Sequence, residues 1–267
     1  MTALTHALLR DYADAFHTYG ELSNPVWFLG LEEGGGETLD EARRRILRWD
    51  ASGRENTWSL TSPDLAEAHR DSPFLRRTGK PAKLQTTWSN QLRVLLGMGR
   101  EPSSNDRVRY LQTSAHGQLR GPTCLMELFP LPCPNAGAWV YGDVPHDPAT
   151  DGPNVFATKR AYREHYLSRR LDAIAALVEK HRPAALVCTS WTHRGPILAL
   201  LDDEEVPDLG LPDARREARI GRLHDTVVAV CSHPADRVPG PRNAFYHALG
   251  GAIERRMRAG VDLGLAA

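Results

Sequence analysis

Two adjacent acids, Glu32 and Glu33, follow the apolar run 26–31 and precede three glycines, Gly34 to Gly36. Glycine lets a backbone approach a ligand closely, and the helical pattern that follows would offer free N–H groups to an electron-rich ligand. The segment has neither the lysine and hydroxyl of a P-loop nor the spacing G-x-G-x-x-G. It therefore indicates either a site at the end of a strand or a turn with two solvated acids.

A third acid, Glu127, interrupts the apolar segment 123–129 and precedes a stretch rich in proline and glycine, 130–153. Charged residues are rarely buried without partners. Long connections of this kind are often functional. Glu127 is therefore a candidate site residue, and the alternative is a strand-end acid that reaches solvent or an arginine.

A histidine, His233, follows the apolar run 227–231 and precedes Pro234. Proline holds the preceding residue in an extended conformation, which directs His233 away from the end of the strand. Its position makes it a site candidate, although a single histidine equally fits a structural role. No role is expected for the following other histidines: His6, His17, His69, His181 and His193.

Four short apolar runs with little period-two alternation predict the strands that must position these side chains. They span 26–31, 123–129, 184–188 and 225–231. Helical patterns are found at 3–19, 39–49, 63–71, 86–97, 104–114, 156–181, 194–202 and 241–258. Apolar strands that alternate with helices are typical of a mainly parallel sheet covered on both faces. We expect one domain, 1–267, of the α/β class: a three-layer α/β/α sandwich with a central, mainly parallel four-stranded sheet. Ligands bind such sheets beyond the carboxyl ends of the strands, where these acids and His233 lie.

The composition is that of an ordinary globular protein. The 267 residues contain 33 basic and 33 acidic side chains, with 41% hydrophobic and 25% charged residues. These values argue against a disordered or collagen-like chain, and the neutral balance argues against a histone-like protein while allowing a local DNA-binding face. No apolar run approaches the ~18 residues of a membrane span, and no secretory signal is visible, so we expect a soluble intracellular protein.

The four cysteines form no C-x-x-C pair, and Cys188 and Cys231 are expected to be buried and reduced.

Three segments together resemble the motifs of the uracil-DNA glycosylase superfamily. They are Gly30-Leu31-Glu32-Glu33-Gly34, Glu127-Leu128-Phe129-Pro130-Leu131-Pro132 and Ser232-His233-Pro234-Ala235. Their order and wide separation match that superfamily, and the similarity in layout runs from about residue 24 to residue 258. The chain departs from it in having Ala235 in place of a serine and Glu127 in place of a base-reading asparagine. No cysteine precedes Cys124, so we expect no iron–sulfur cluster.

The resemblance implies hydrolysis of the N-glycosidic bond of uracil, or of a related damaged base, after the base has been flipped out of the DNA. Neutral His233 would donate a hydrogen bond to the departing base. Glu32, or alternatively Glu33, would orient water and offset the positive charge of the sugar. The implied substrate-binding residues are Gly30, Leu31, Gly34, Glu127 and Phe129, and the implied DNA-binding residues are Pro130, Pro132, Arg237, Val238 and Arg242. In these roles Arg237 and Arg242 would hold phosphates, and Val238 would act as an apolar wedge. No cofactor and no metal are implied.

The expected partner is single- or double-stranded DNA that contains uracil or a damaged base, bound by a monomer with no membrane association. The expected location is the cytoplasm, associated with the nucleoid in a bacterium.

The glutamate at position 127 restricts the chemistry further. Uracil presents a carbonyl acceptor beside an N–H donor, and an ionised carboxylate, which only accepts, would repel the carbonyl. Either Glu127 is protonated, which favours activity at acidic pH, or the preferred base presents two adjacent donors, as guanine does. Burial would raise the pKa of Glu127 and extend activity upward in pH.

Two other classes of function fit the same residues. Glu32, Glu33, Glu127 and His233 could bind Mn²⁺ or Mg²⁺ in a hydrolase or nuclease. The chain could also bind damaged or single-stranded DNA without catalysis.

Overall fold

The computed structural model describes residues 3–36, 38–60, 82–135, 137–211, 216–234 and 241–262. Its helices are α1 (His6–Asp14), α2 (Leu39–Ala51), α3 (Thr86–Met98), α4 (Asn105–Ser114), α5 (Pro148–Asp151), α6 (Lys159–His181), α7 (Arg194–Leu198) and α8 (Arg242–Asp262). Its strands are β1 (Thr18–Tyr19), β2 (Val26–Gly34), β3 (Thr57–Trp58), β4 (Thr123–Cys133), β5 (Ala185–Cys188), β6 (Asp203–Glu205), β7 (Ala218–Leu223) and β8 (Thr226–Cys231). The helix expected at 63–71 lies outside the described residues.

The described strands form one mixed sheet in the order β3-β1-β4-β2-β5-β8-β7-β6. The α/β class is confirmed, but a four-stranded, mainly parallel sheet is wrong, because the sheet has eight strands with antiparallel pairs on both sides. The four strands expected from the sequence are its parallel centre, β4-β2-β5-β8. The carboxyl ends of these four strands lie along one side of the sheet, which we call the carboxyl edge.

The four strands that the sequence pattern missed are short or polar. β1 and β3 have two residues each, and all three residues of β6 are exposed acids. β7 contains Arg219 and Arg222 and pairs with β8 through a two-residue turn in which His224 has a positive φ of 54°. None of these segments has the apolar run that identified the central strands.

Helices cover both faces of the sheet. Buried side chains of α1, α2, α6 and α7 pack with Trp27, Leu29 and Met126 on one face. Buried side chains of α3 and α8 pack with Val26, Phe28 and Leu125 on the other. The alternation of these residues along β2 and β4 follows from the period of two in a strand, and it places a hydrophobic layer on each side. All four cysteines are free and buried, which confirms the expectation for Cys188 and Cys231. Within the described residues, none of the helices combines the length and the apolar composition that crossing a membrane requires.

Strands β2 and β4 continue past their neighbours. β5 pairs with β2 as far as Leu29, and β1 pairs with β4 as far as Met126, whereas β2 and β4 remain paired up to Gly34 and Cys133. Residues 30–34 and 127–133 therefore form a two-stranded extension beyond the carboxyl edge, which we call the projecting pair. All three candidate glutamates lie on it.

Side chains of the helices satisfy backbone groups of the projecting pair. Arg170 of α6, which is 2% exposed, donates to the carbonyl oxygens of Leu128 at 3.0 Å and Glu127 at 2.9 Å, and also to that of Ala15 at 2.8 Å. The Leu131 amide donates to the hydroxyl of Tyr162 at 3.4 Å. Buried backbone polar groups require such partners where a neighbouring strand ends.

We expect Arg170→Met to lower the free energy of unfolding by roughly 2–4 kcal/mol, because buried carbonyl groups would lose a charged donor. Urea denaturation followed by circular dichroism measures this change. The neighbouring Arg169 is 57% exposed and pairs with Asp14, so Arg169→Met is the matched control, expected to change stability by less than about 1 kcal/mol. Equal effects of the two substitutions would contradict this role of Arg170.

Candidate functional site

Glu127 lies directly across from Gly30 in the parallel pairing of β4 with β2. Its carboxyl group occupies the space above Gly30, since a Cβ at that position would overlap Oε2 and come within 2.6 Å of both Oε1 and Cδ of Glu127. Glycine is therefore required here for a close approach. The side chain of Glu127 is held at the base of the projecting pair.

Glu127 has a buried oxygen without a hydrogen-bond donor. Its Oε2 has no contact with solvent, and no group in the described part of the chain donates to it. Burial, together with the charges of Glu33 and Glu32, raises the pKa of Glu127 to about 8. The carboxyl group therefore holds its proton at neutral pH and can both donate and accept a hydrogen bond.

Glu33 is a buried carboxylate with a full set of partners. Oε1 is 2.9 Å from Nη1 of Arg45 and accepts a short hydrogen bond from the hydroxyl of Tyr19. Oε2 is 3.4 Å from the hydroxyl of Tyr12. The same Arg45 nitrogen donates to the carbonyl oxygen of Gly34 at 3.1 Å, so α2 holds both Glu33 and the end of β2.

Glu32 is held between two cations of α6. Its Oε2 is 2.7 Å from Nζ of Lys159, and its Oε1 is 2.6 Å from Nη2 and 2.9 Å from Nε of Arg163. The side chain is 8% exposed, so these charge-assisted contacts hold the carboxyl group in a largely dry environment. Lys159 also donates to the carbonyl oxygens of Asn135 and Ala138, which fixes the segment that follows β4.

An imidazole that the sequence analysis set aside, His193, lies next to Glu32. Burial lowers the pKa of His193, the charge of Arg163 lowers it further, and Glu32 opposes both. Its Nδ1 is 3.1 Å from the hydroxyl of Ser190, and its ring contacts Phe129 edge-on at 5.5 Å. His193 follows β5. The chain adds β4 on one side of β2 and then crosses to β5 on the other side, and α/β sheets commonly bind ligands at such a reversal of strand order.

His233 follows β8 at the same carboxyl edge and is separated from β2 by β5. Its carbonyl oxygen accepts a hydrogen bond from Arg216 at 3.4 Å, and the preceding Ser232 carbonyl accepts one from Tyr246 at 2.7 Å. The structure thus brings the three glutamates together at the projecting pair. His233 lies at the same edge of the sheet as these glutamates.

The expected DNA-contacting prolines lie inside a strand. Pro130 and Pro132 are buried in β4, so their assignment to a loop after the strand is wrong. Between the pairs Glu32↔Phe129 and Gly34↔Cys133, β2 advances by 34 − 32 = 2 residues and β4 by 133 − 129 = 4. Proline is tolerated at such irregularities because a ladder N–H is not needed there.

The remaining sequence candidates are placed as follows. Phe129 is fully buried, with its ring against Tyr162 and His193, so a base could stack on it only after these side chains moved. Leu31 packs against the hydrophobic layer of the first face. Arg242 is the first residue of α8. Arg237 and Val238 lie outside the described residues.

Sequence reasoning missed the cations that surround the acids. Lys159 and Arg163 are spaced i, i+4, which puts them on one face of α6, and this spacing was the available signal. His193 gave no comparable signal, because its neighbourhood depends on the crossing of the chain from β4 to β5.

No known family model and no curated protein matches this sequence.

The close approach of Gly30 and Glu127 predicts a strong coupling between them. We expect Gly30→Ala to destabilise the fold by about 1–3 kcal/mol, because the new methyl group overlaps the carboxyl group. The cost should fall sharply in the background of Glu127→Ala, and a double-mutant cycle by urea denaturation measures the difference. Gly195→Ala is the control, since a Cβ there meets no described atom within 4 Å. An equal cost of Gly30→Ala in both backgrounds would show that the two residues do not interact.

The raised pKa of Glu127 predicts a pH-dependent stability. Because the pKa of Glu127 is about 8 in the folded chain and 4.5 for an exposed glutamate, the folded chain binds more protons than the unfolded chain between these pH values. The stabilisation from this group is complete below pH ~4.5 and is lost as the pH rises to ~8, with a slope of at most about 1.4 kcal/mol per pH unit. Wild type should therefore lose stability relative to Glu127→Gln across this range in urea titrations, whereas Glu55→Gln at an exposed site should follow wild type. Parallel curves for wild type and Glu127→Gln would exclude a protonated Glu127.

Proposed function

We propose that the chain is a DNA glycosylase, with a single domain of the uracil-DNA glycosylase type, that hydrolyses the N-glycosidic bond of uracil or a related damaged base. The observation that carries the proposal is the carboxyl group of Glu127. It lies over a glycine, near Glu32 and Glu33, with an unpartnered buried oxygen. Buried polar atoms without partners are uncommon, and a ligand that supplies the missing bond explains this one.

A protonated Glu127 matches the edge of uracil. Its O–H can donate to a carbonyl oxygen of the base while its second oxygen accepts from the adjacent ring N–H, as an amide would. The pKa of about 8 supplies this proton state at neutral pH. It also removes the need to invoke a base with two adjacent donors.

The other residues support hydrolysis of the glycosidic bond. Glu32 is held between Lys159 and Arg163, and a carboxylate in this position can orient water towards the sugar and offset its developing positive charge. Glu33 is the alternative for this role. His233, at the same edge, would donate to the departing base, and Arg242 would hold a phosphate, with Arg237 and Val238 in the adjoining segment.

The alternative of a metal-dependent hydrolase receives less support from these contacts. Both oxygens of Glu32 already pair with Lys159 and Arg163, and Glu33 pairs with Arg45 and two tyrosine hydroxyls. A divalent ion that used these carboxylates would have to displace, or lie beside, three cations.

The proposed function predicts excision of uracil that fails at alkaline pH. Wild type should release free uracil from single- or double-stranded oligonucleotides in the presence of EDTA. The rate should fall about tenfold per pH unit above pH ~8, since ionised Glu127 cannot donate and repels the carbonyl. Glu127→Gln and Glu127→Asn keep a donor and an acceptor at all pH values, so their rates should lack this decline. Release of base, followed by alkaline strand cleavage, is the measurement.

The same assay separates the alternatives. Glu55→Gln serves as the control and should retain the wild-type pH profile. Activity that disappears in EDTA would favour the metal-dependent hydrolase, and tight binding of DNA without release of base would favour a binding protein. A wild-type rate that does not decline above pH ~8, or the same decline in Glu127→Gln, would contradict the role of Glu127.

A further inference from the structure

Two histidines and an aspartate meet beside the first turn of α1. His6 comes from the first turn of α1, His146 from the segment after β4, and Asp151 from the end of α5. One ligand atom from each residue can be chosen so that all three lie within 4.8 Å of one another. The two imidazole centroids are 4.8 Å apart. Residues distant in sequence thus bring two ring nitrogens and a carboxylate oxygen within 4.8 Å of one another.

His6 has a buried ring nitrogen without a partner. The residue is 1% exposed, and its Nε2 is 3.3 Å from the carbonyl oxygen of Val144. A carbonyl oxygen only accepts, so Nε2 carries the hydrogen, and in the neutral ring Nδ1 is left with a lone pair. No group among the described residues donates to that Nδ1.

His146 is held in the same tautomer. Its Nε2 is 2.8 Å from the carbonyl oxygen of Gly152, so Nε2 donates and Nδ1 has the lone pair. Asp151 accepts a hydrogen bond from the amide of Asp147 through Oδ2 at 2.9 Å, which orients its carboxylate. A backbone carbonyl behind each histidine and a hydrogen bond to the carboxylate are the outer contacts typical of metal ligands.

We propose that His6, His146 and Asp151 bind a divalent transition-metal ion of the Zn²⁺ type. Two imidazoles and one carboxylate suit a borderline ion and leave at least one position for water. The ion would link α1 to the segment between β4 and α6. That same segment supplies the Asn135 and Ala138 carbonyl groups that hold Lys159 beside Glu32. The site is independent of the proposed glycosylase activity.

The test uses the full chain without a polyhistidine tag, stripped with EDTA and dialysed. Titration with Co²⁺ is followed by visible absorption, Zn²⁺ is added in competition, and thermal unfolding is recorded with and without Zn²⁺. Wild type should bind one Co²⁺ per chain, release it to Zn²⁺ and unfold at a higher temperature with Zn²⁺. His146→Ala and Asp151→Asn should each weaken binding by at least about tenfold and remove the thermal shift.

His165→Ala is the matched control, because His165 is an exposed histidine on α6. It should bind Co²⁺ as wild type does. If circular dichroism shows that one of the two ligand variants does not fold, the binding of Co²⁺ by the other variant tests the proposal. Absence of stoichiometric binding in wild type, or equal binding by wild type, His146→Ala and Asp151→Asn, would overturn the proposal.

Discussion

The site depends on the pairing of β2 with β4 beyond the ends of their neighbours. A strand in the middle of a sheet satisfies its backbone through both adjacent strands, but the projecting pair, residues 30–34 and 127–133, has this support on one side of each strand. Arg170, Tyr162 and Arg45 supply bonds from the helices instead. Because each of these bonds requires a polar side chain in a buried place, the extension brings charge and hydrogen-bonding capacity to the carboxyl edge.

The distribution of cations around the three glutamates keeps one of them neutral. Lys159 and Arg163 contact Glu32, and Arg45 contacts Glu33, so each of these two acids has a cationic partner. Glu127 makes no ion pair within the described residues and faces the charges of both other acids. An unpaired acid in this position costs stability, and such a cost is commonly retained where a ligand is bound. Glu127 is thus neutral because the nearby cations pair with Glu32 and Glu33.

Much of this arrangement is encoded in local sequence pattern. The four central strands and most of the helices follow from apolar runs and helical periodicity, and the acids could be placed at strand ends because parallel strands end on the same edge. The extension of β4 through Pro130 and Pro132 could not be predicted, because prolines after an apolar run are typical of a loop. The extension of β4 is accommodated by an irregular register with β2, and this register depends on both strands together. The contact of His193 with Phe129 depends in the same way on long-range topology.

Under the proposed function, a carboxyl group stands where the superfamily that the chain resembles has an amide, and the two groups differ in their dependence on pH. An amide offers a donor and an acceptor at any pH, whereas a carboxyl group offers both only while it is protonated. The surroundings of the carboxyl group must therefore keep it protonated. Here burial over Gly30 and the charges of Glu33 and Glu32 all act in that direction. A cation near Glu127 would act in the opposite direction, and Lys159, Arg163 and Arg45 are prevented from doing so by their pairing with the other two acids. The ion pairs at Glu32 and Glu33 therefore help to keep Glu127 protonated, which is the state that the proposed recognition of a base requires.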